Sequence, residues 1–478
     1  MAHIQSVPLF LAGAATHTSA TILVRSPYDD APVAEVALAG PTEYEDAARA
    51  CVAAAPVVAA LPVHERAAIL RRVSDGLRSG RDDFARRITR EAGKPLRDAR
   101  TEVDRAAMTF EVAAEEARRL AGSGEVLPMD LAAHGEGRLA LTRRVPIGPI
   151  AAISPFNFPL NLVAHKLAPA LAAGNPVVLK PASRTPLSAL ALADLMHASG
   201  MPAGALSVLP MTRETGDLLV QDDRYRLLTF TGSAEVGWAI KARAGRKKVV
   251  LELGGNAAVI IDEGADLAQS AERVAVGGFG FAGQSCISVQ RVYVHAAVWD
   301  GWLAEFLPRV DALVVGDPLD PATAVGPMIT PGDIDRIEAW IREAVASGAT
   351  LLRGGSRVSD RVFAPTVLTG VPRHARICAE EAFAPIVVVE RVDNIDEALA
   401  AVNDSAFGLQ AGLFTPRLDA ALDAFERLEV GGLLINDVPS YRIDHMPYGG
   451  VKDSGLGREG PRYAIEDMTE LRLLIVRR

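Results

Sequence analysis

The chain has 478 residues, of which 49% are hydrophobic and 23% charged, a balance that excludes a largely disordered or collagen-like protein. Its length exceeds what one hydrophobic core usually spans and points to two or three domains. Fifty basic against 59 acidic residues leave a net charge of -9, which argues against nucleic-acid binding as the main function. Only seven of the basic residues are lysine: Lys94, Lys166, Lys180, Lys241, Lys247, Lys248 and Lys452. A lysine kept where arginine would otherwise serve suggests a need for a compact ammonium. Cys51, Cys286 and Cys378 form neither a disulfide framework nor a zinc pattern, so a reducing, cytoplasmic setting is expected. No metal site and no membrane partner are expected, because ligand spacings and long apolar runs are missing.

In chain order, strands are expected near residues 20–25 and 32–37. Four amphipathic helices follow, at 42–60, 63–79, 81–92 and 97–120, the first with Thr42 as cap and Glu45 completing a capping box. From Gly148 onward, short apolar runs alternate with helices. Strands fall at 150–154, 177–180, 205–209, 226–230 and 248–253, with helices at 160–173, 186–199, 214–221 and 234–244 between them. Continuous Val/Ile/Leu runs spaced by helices of this length are the pattern of a doubly wound parallel sheet, an α/β fold. A second α/β series covers 257–436, with strands at 257–261, 291–295, 386–392, 410–414 and 432–435. Residues 138–144 and 470–477 read as isolated strands flanking the main domains, of a kind that usually pairs either in an arm of the same chain or across a subunit boundary.

Four residues stand out for chemistry. Cys286 follows a glycine-rich stretch, Gly277-Gly-Phe-Gly-Phe-Ala-Gly283, which leaves room at the thiol; a thiolate is a strong nucleophile. For Cys51 and Cys378 the plain alternative, a small buried hydrophobe, is kept. Glu252 interrupts an apolar strand just before two glycines and is either a salt-bridged strand end or a carboxylate tuned to activate water. Asn157, between Pro155 and Pro159, could donate to an oxyanion or cap the following helix. Lys180 ends a strand, where it is either solvated or bonded to ribose hydroxyls. Phe230-Thr-Gly-Ser233 is a strand, a turn and a helix start, which is weak evidence for a phosphate site.

Taken together and in order, Pro155-Phe-Asn-Phe-Pro159, Leu179-Lys-Pro-Ala-Ser183, Phe230-Thr-Gly-Ser233, Leu251-Glu-Leu-Gly-Gly255, Gly283-Gln-Ser-Cys286, Glu380-Glu-Ala-Phe-Ala-Pro385 and Pro447-Tyr-Gly-Gly-Val-Lys-Asp-Ser-Gly455 resemble the aldehyde dehydrogenase superfamily. The resemblance spans nearly the whole chain. It implies two doubly wound α/β domains and a small β oligomerisation arm: a dinucleotide-binding domain at 1–122 and 146–252, a catalytic domain at 253–450, and an arm and tail at 123–145 and 451–478. A homodimer or homotetramer is implied. By the same resemblance, Cys286 is the nucleophile and Glu252 the general base, while Asn157 and the Cys286 N–H form the oxyanion hole. Lys180 and Glu381 hold the two riboses, Ser233 lies at the pyrophosphate, and Phe383 packs near the nicotinamide. Pro155, Phe156, Gly232 and Leu253 complete the cofactor site.

Two positions depart from the family pattern. Ala384 replaces a usual Gly, and Ser183 stands where strictly NAD-dependent members often carry Glu. A Glu would repel a 2′-phosphate; Ser183, with Arg184 beside it, does not, so NAD and NADP both stay open. The expected reaction is oxidation of an aldehyde to a carboxylic acid through a cysteine thiohemiacetal and thioester. A CoA-acylating enzyme and a catalytically silent homologue are the rivals. Within the superfamily, residues 102–106, 286–291 and 437–447 look most like the lactaldehyde dehydrogenase-like branch. Arg105 and Arg442 are then expected to converge on the substrate tunnel, with Phe158, Ser285 and Ile287 as further substrate contacts. That suggests a short aldehyde with a hydroxylated or anionic far end, of lactaldehyde, succinic semialdehyde or phosphonoacetaldehyde type.

Overall fold

The computed structural model describes residues 4–120 and 122–477. Two large sheets and one small one organise these residues. The first sheet has eight strands in the order Gly455–Leu456, Lys248–Glu252, Leu227–Thr231, Ile150–Ile153, Val177–Lys180, Leu206–Val208, Leu9–Leu11, Ala14–Thr16. Its five central strands are parallel, as their apolar runs predicted. The outer pairings are antiparallel.

Strand order reverses at Ile150–Ile153, from which the chain winds first one way and then the other. In such sheets, ligands bind outside the carboxyl ends of the strands at this switch. The register aligns those ends: Ile153 lies opposite Lys180, and Thr231 opposite Glu252. The helix Asn161–Ala173 packs beneath them with every residue buried, and stops at Gly174, whose φ of +91° suits glycine.

The second sheet, in the order Thr350–Arg353, Thr366–Thr369, Ile386–Val392, Arg291–His295, Ala258–Ile261, Gln410–Phe414, Gly432–Ile435, is parallel apart from its first strand. Its strands 291–295, 386–392, 410–414 and 432–435 fall at the expected bounds. Residues 350–353 and 366–369 are additional strands, short and flanked by glycine, and so weak in the sequence signal.

One expectation changes, and the structure adds placements that the sequence did not give. The helix Pro41–Ala60 is capped by Gly40 rather than Thr42, and Glu43, not Glu45, accepts the bond from the Gly40 N–H at 2.8 Å. Proline at the first helical position moves the start one residue earlier, and Glu45 is free to pair with Arg224 at 2.7 Å. The strands Thr21–Arg25 and Pro32–Ala37 pair with each other and with Gln5–Val7, outside the large sheet. Within the tail expected from residue 451 onward, Gly455–Leu456 returns to the edge of the first sheet beside Leu251 and Glu252. The two isolated strands do pair with each other: Thr469–Arg477 lies antiparallel to Arg138–Pro146 along nine residues, and Val126–Pro128 completes the small sheet.

Candidate active site

The nucleophile loop is held by its backbone. Phe281, Ala282 and Gly283 have φ values of +50°, +54° and +69°, a left-handed turn that two of them adopt at a cost. At Gly283 a Cβ would sit 2.0 Å from the Ala384 carbonyl oxygen. This glycine therefore serves the approach of two protein segments, whereas Gly277 and Gly278 lie inside the helix Leu267–Phe279. Gln284 clamps the turn: its Nε2 donates to the Phe281 and Pro327 carbonyls, and its Oε1 accepts from the Ile329 N–H. Ser285 and Cys286 follow directly.

Cys286 Sγ lies 3.0 Å from the hydroxyl of Tyr448 and packs with Ile287 and Leu409. Burial pushes its thiol up to about 12, while the Tyr448 hydrogen bond and Arg442 pull the other way. Cys51 and Cys378 are buried hydrophobes in two separate cores, as expected. Asn157 does not cap the helix after it: its Nδ2 donates to the Gln284 carbonyl at 3.1 Å, which sets the amide beside the nucleophile loop. Among the described residues, the Cys286 N–H has no acceptor.

Glu252 is 3% exposed, and neither carboxylate oxygen has a hydrogen-bond partner among the described residues. The salt-bridge alternative thus fails. Burial first, and then the charge of Glu459, hold its carboxyl well above the usual range.

Cys286, Glu252 and Asn157 share one cavity of about 470 Å³ with Pro155, Phe156, Gly232, Ser233, Leu253, Glu381 and Phe383. The rings of Phe156 and Phe383 meet edge to face at 5.8 Å. Ser233 starts the helix Ala234–Arg243 without using its hydroxyl as a cap. The Gly255 N–H donates to Glu381 at 3.0 Å, and burial pushes that carboxyl up to about 7. Lys180 is mostly buried and forms no ion pair among the described residues, and burial lowers its pKa. A buried, unpaired ammonium and a buried carboxylate at the mouth of a parallel sheet suit the hydroxyls of a dinucleotide. Ser183 lies off this cavity, 3.5 Å from the Met211 carbonyl, beside a second hollow shared with Arg184.

The expected substrate residues are brought together, although not as two free arginines. Arg105 makes a two-pronged pair with Asp444, at 2.9 and 3.1 Å. Asp444 also accepts from Asn161 and lies 2.8 Å from His165 Nε2, and the same nitrogen is 3.0 Å from Arg442 Nη2. Arg442 pairs with Glu459 at 2.9 Å, and its guanidinium lies 3.7 Å from the centre of the Tyr448 ring. Lys166 joins the far end, 3.7 Å from Glu459, with the Thr229 and Thr231 hydroxyls around it. Burial works against Asp444, but the bonds from His165 and Arg105 hold its carboxyl far below the usual range.

Phe158 lies under Lys94, whose ammonium is 3.5 Å from the ring centre and 4.6 Å from that of Phe281. Lys94 is ion-paired with Glu102, and Glu102 accepts the Leu160 and Asn161 N–H groups, capping the helix Asn161–Ala173. Tyr448, Glu459, His165 and Lys166 went unnoticed as site residues in the sequence. Lys166, rare in type and set within an apolar run, carried the one available signal.

Geometry and sequence agree with the comparisons. The aldehyde dehydrogenase family model matches residues 14–474, and the chain belongs to that family; by class it is an NAD(P)-dependent aldehyde dehydrogenase. It is 44% identical to a 3-sulfolactaldehyde dehydrogenase of Priestia aryabhattai, across 100% of this chain and 99% of that one. Aldehyde dehydrogenase 21 of Physcomitrella patens, solved with its reaction product succinate, superposes with a TM-score of 0.96 at 45% identity, covering 99% of both chains. A glyceraldehyde-3-phosphate dehydrogenase of Methanocaldococcus jannaschii, solved with NADP, gives a TM-score of 0.92 at 35% identity, over 96% of this chain and 100% of that one.

Proposed function

We propose that the protein oxidises a short aldehyde carrying a sulfonate or carboxylate at its far end to the corresponding acid. One observation carries this reading: Arg442, stacked on the ring whose hydroxyl touches Cys286, keeps a guanidinium donor without an acceptor. Among the described residues Arg442 bonds through Nη2 alone, leaving its Nε buried without an acceptor, and Arg105 bonds only through Nε and Nη2. A buried donor left unpaired costs about 1–3 kcal/mol, which an anionic ligand would recover. Arg442 stacks on the ring whose hydroxyl touches Cys286, so an anion there is one phenol width from the sulfur, the reach of three or four carbons. The sulfolactaldehyde relative and the succinate-bound structure act on such molecules.

In this reading Cys286 Sγ attacks the aldehyde carbon, and the oxyanion takes bonds from the Cys286 N–H and the second Nδ2 hydrogen of Asn157. Lys180 and Glu381 would hold NAD(P), which would supply the hydride acceptor needed for oxidation of the thiohemiacetal to a thioester on Cys286. Glu252 then takes a proton from the water that hydrolyses the thioester. Its buried, unpartnered carboxylate favours water over CoA as the acyl acceptor. The exposed Leu471, Leu473, Leu474, Ile475 and Val476 on the small sheet support its role as a subunit contact. The test is an NAD(P)H-formation screen with succinic semialdehyde, sulfolactaldehyde, lactaldehyde and propanal, each with NAD and with NADP. Preference for propanal over both acidic aldehydes would overturn the anionic reading.

A further inference from the structure

We propose that Tyr448 is a catalytic residue: its phenol O–H is a fixed donor that stabilises the Cys286 thiolate, and the Arg442 guanidinium on the ring face strengthens it. The inference rests on Cys286 being the nucleophile. Its geometry is direct. The hydroxyl is 3.0 Å from Sγ, and the guanidinium carbon is 3.7 Å from the ring centre. Tyr448 is 2% exposed, and no other polar atom among the described residues contacts its hydroxyl.

The two groups compete for one proton. A free phenol titrates near 10 and a free thiol near 8.5, so when the pair loses a proton the sulfur gives it up. That proton leaves to solvent, the S–H bond breaks, and the phenol O–H turns onto the sulfur lone pair. A donor to the charged form lowers the thiol pKa. This works against burial, the larger effect, which holds the thiol above its ordinary range. Arg442 adds positive potential on the ring face, which favours the anionic pair and makes the phenol a better donor. Arg442 is itself held by its ion pair with Glu459 at 2.9 Å, so the cation cannot swing away. Cys286 thus gains its nucleophilicity from a hydroxyl and a guanidinium placed by one segment, residues 442–448.

The experiment compares wild type with Tyr448→Phe, which removes one oxygen and keeps the ring under Arg442. Iodoacetamide alkylates the thiolate, forming an S–C bond with loss of iodide, and mass spectrometry of the Cys286 peptide follows its rate with pH. The reagent is neutral and needs neither aldehyde nor cofactor, so the result is independent of the substrate assignment. Tyr448→Phe should raise the midpoint by about one unit, slow alkylation at pH 7 about tenfold, and leave the high-pH plateau unchanged. Superimposable profiles, or a lowered plateau with no shift in midpoint, would overturn the proposal. Cys286→Ala retaining aldehyde oxidation would instead sink the nucleophile assignment beneath it.

Discussion

Asp444 ties Arg105 to the loop that bears Arg442, with both carboxylate oxygens engaged at 2.9 and 3.1 Å. The pair joins the long helix Leu96–Leu120 to a residue 339 positions away in sequence. It also decides which arginine is the informative one to remove. Arg442 is 5% exposed at its side chain, and losing it would leave Glu459 buried beside Glu252, whereas Arg105 is 21% exposed. Arg105→Ala should raise KM for succinic semialdehyde at least tenfold, roughly 1.4 kcal/mol, and leave KM for propanal almost unchanged. Equal rises for both substrates would make Arg105 a structural residue.

Cys286→Ala should abolish aldehyde oxidation and leave NAD(P)H binding, read by fluorescence titration, close to wild type. In the proposed mechanism the sulfur forms the bond to substrate, while the cofactor residues belong to other segments of the chain. Cys51→Ala and Cys378→Ala should leave kcat nearly unchanged, because both thiols lie in hydrophobic cores. Retained activity in Cys286→Ala would contradict the assignment.

Glu252→Gln should give a first-turnover burst of NAD(P)H and then stall as the thioester. Because burial and Glu459 raise the Glu252 pKa, the wild-type steady state should climb with pH as the carboxylate forms. The burst in the variant should lack that dependence. A variant without a burst would place Glu252 earlier, in removal of the thiol proton.

If Glu381 holds a ribose as proposed, cofactor binding should be sensitive to pH. Its carboxyl is pushed up to about 7 by burial, and the ionised form is the stronger acceptor for two ribose hydroxyls. Affinity for NAD(P) should therefore tighten as pH rises from 6 to 8, and Glu381→Gln should flatten the curve. The linkage runs against stability in the free enzyme. The raised pKa means the folded state binds more protons than the unfolded chain, so this group's contribution is present below the unfolded value and lost as pH rises through about 7.

Ser183→Glu should weaken NADP far more than NAD by placing a carboxylate near the 2′-phosphate, a like-charge contact of roughly 1–3 kcal/mol. Isothermal titration with both cofactors reads it. Equal losses would move Ser183 away from the adenosine ribose, toward the hollow it shares with Arg184.

The sequence by itself determined the α/β class and the parallel strands, and it singled out Cys286, Glu252 and Asn157, which the fold gathers on one cavity. Short continuous apolar runs of Val, Ile and Leu spaced by helices read as strands covered on both faces, and Cys286, Glu252 and Asn157 sit in short motifs whose spacing is local. Those local signals also placed 177–180 and 410–414 to the residue. The cap of the first helix was misread because a proline at its start outweighed the Thr and Glu pattern. What only the tertiary structure decided is the surroundings of the chemistry. Tyr448 reaches Cys286 across 162 positions, Asp444 meets His165 across 279, and Gly455–Leu456 folds back onto the strand that ends at Glu252. A lone tyrosine or histidine has no periodicity to read, and its partners are chosen by sheet order and loop closure. Lysine scarcity marked seven positions without ranking them, and what sets Lys94, Lys166 and Lys180 apart is burial, since an ammonium taken out of water must find its partners wherever the fold brings them.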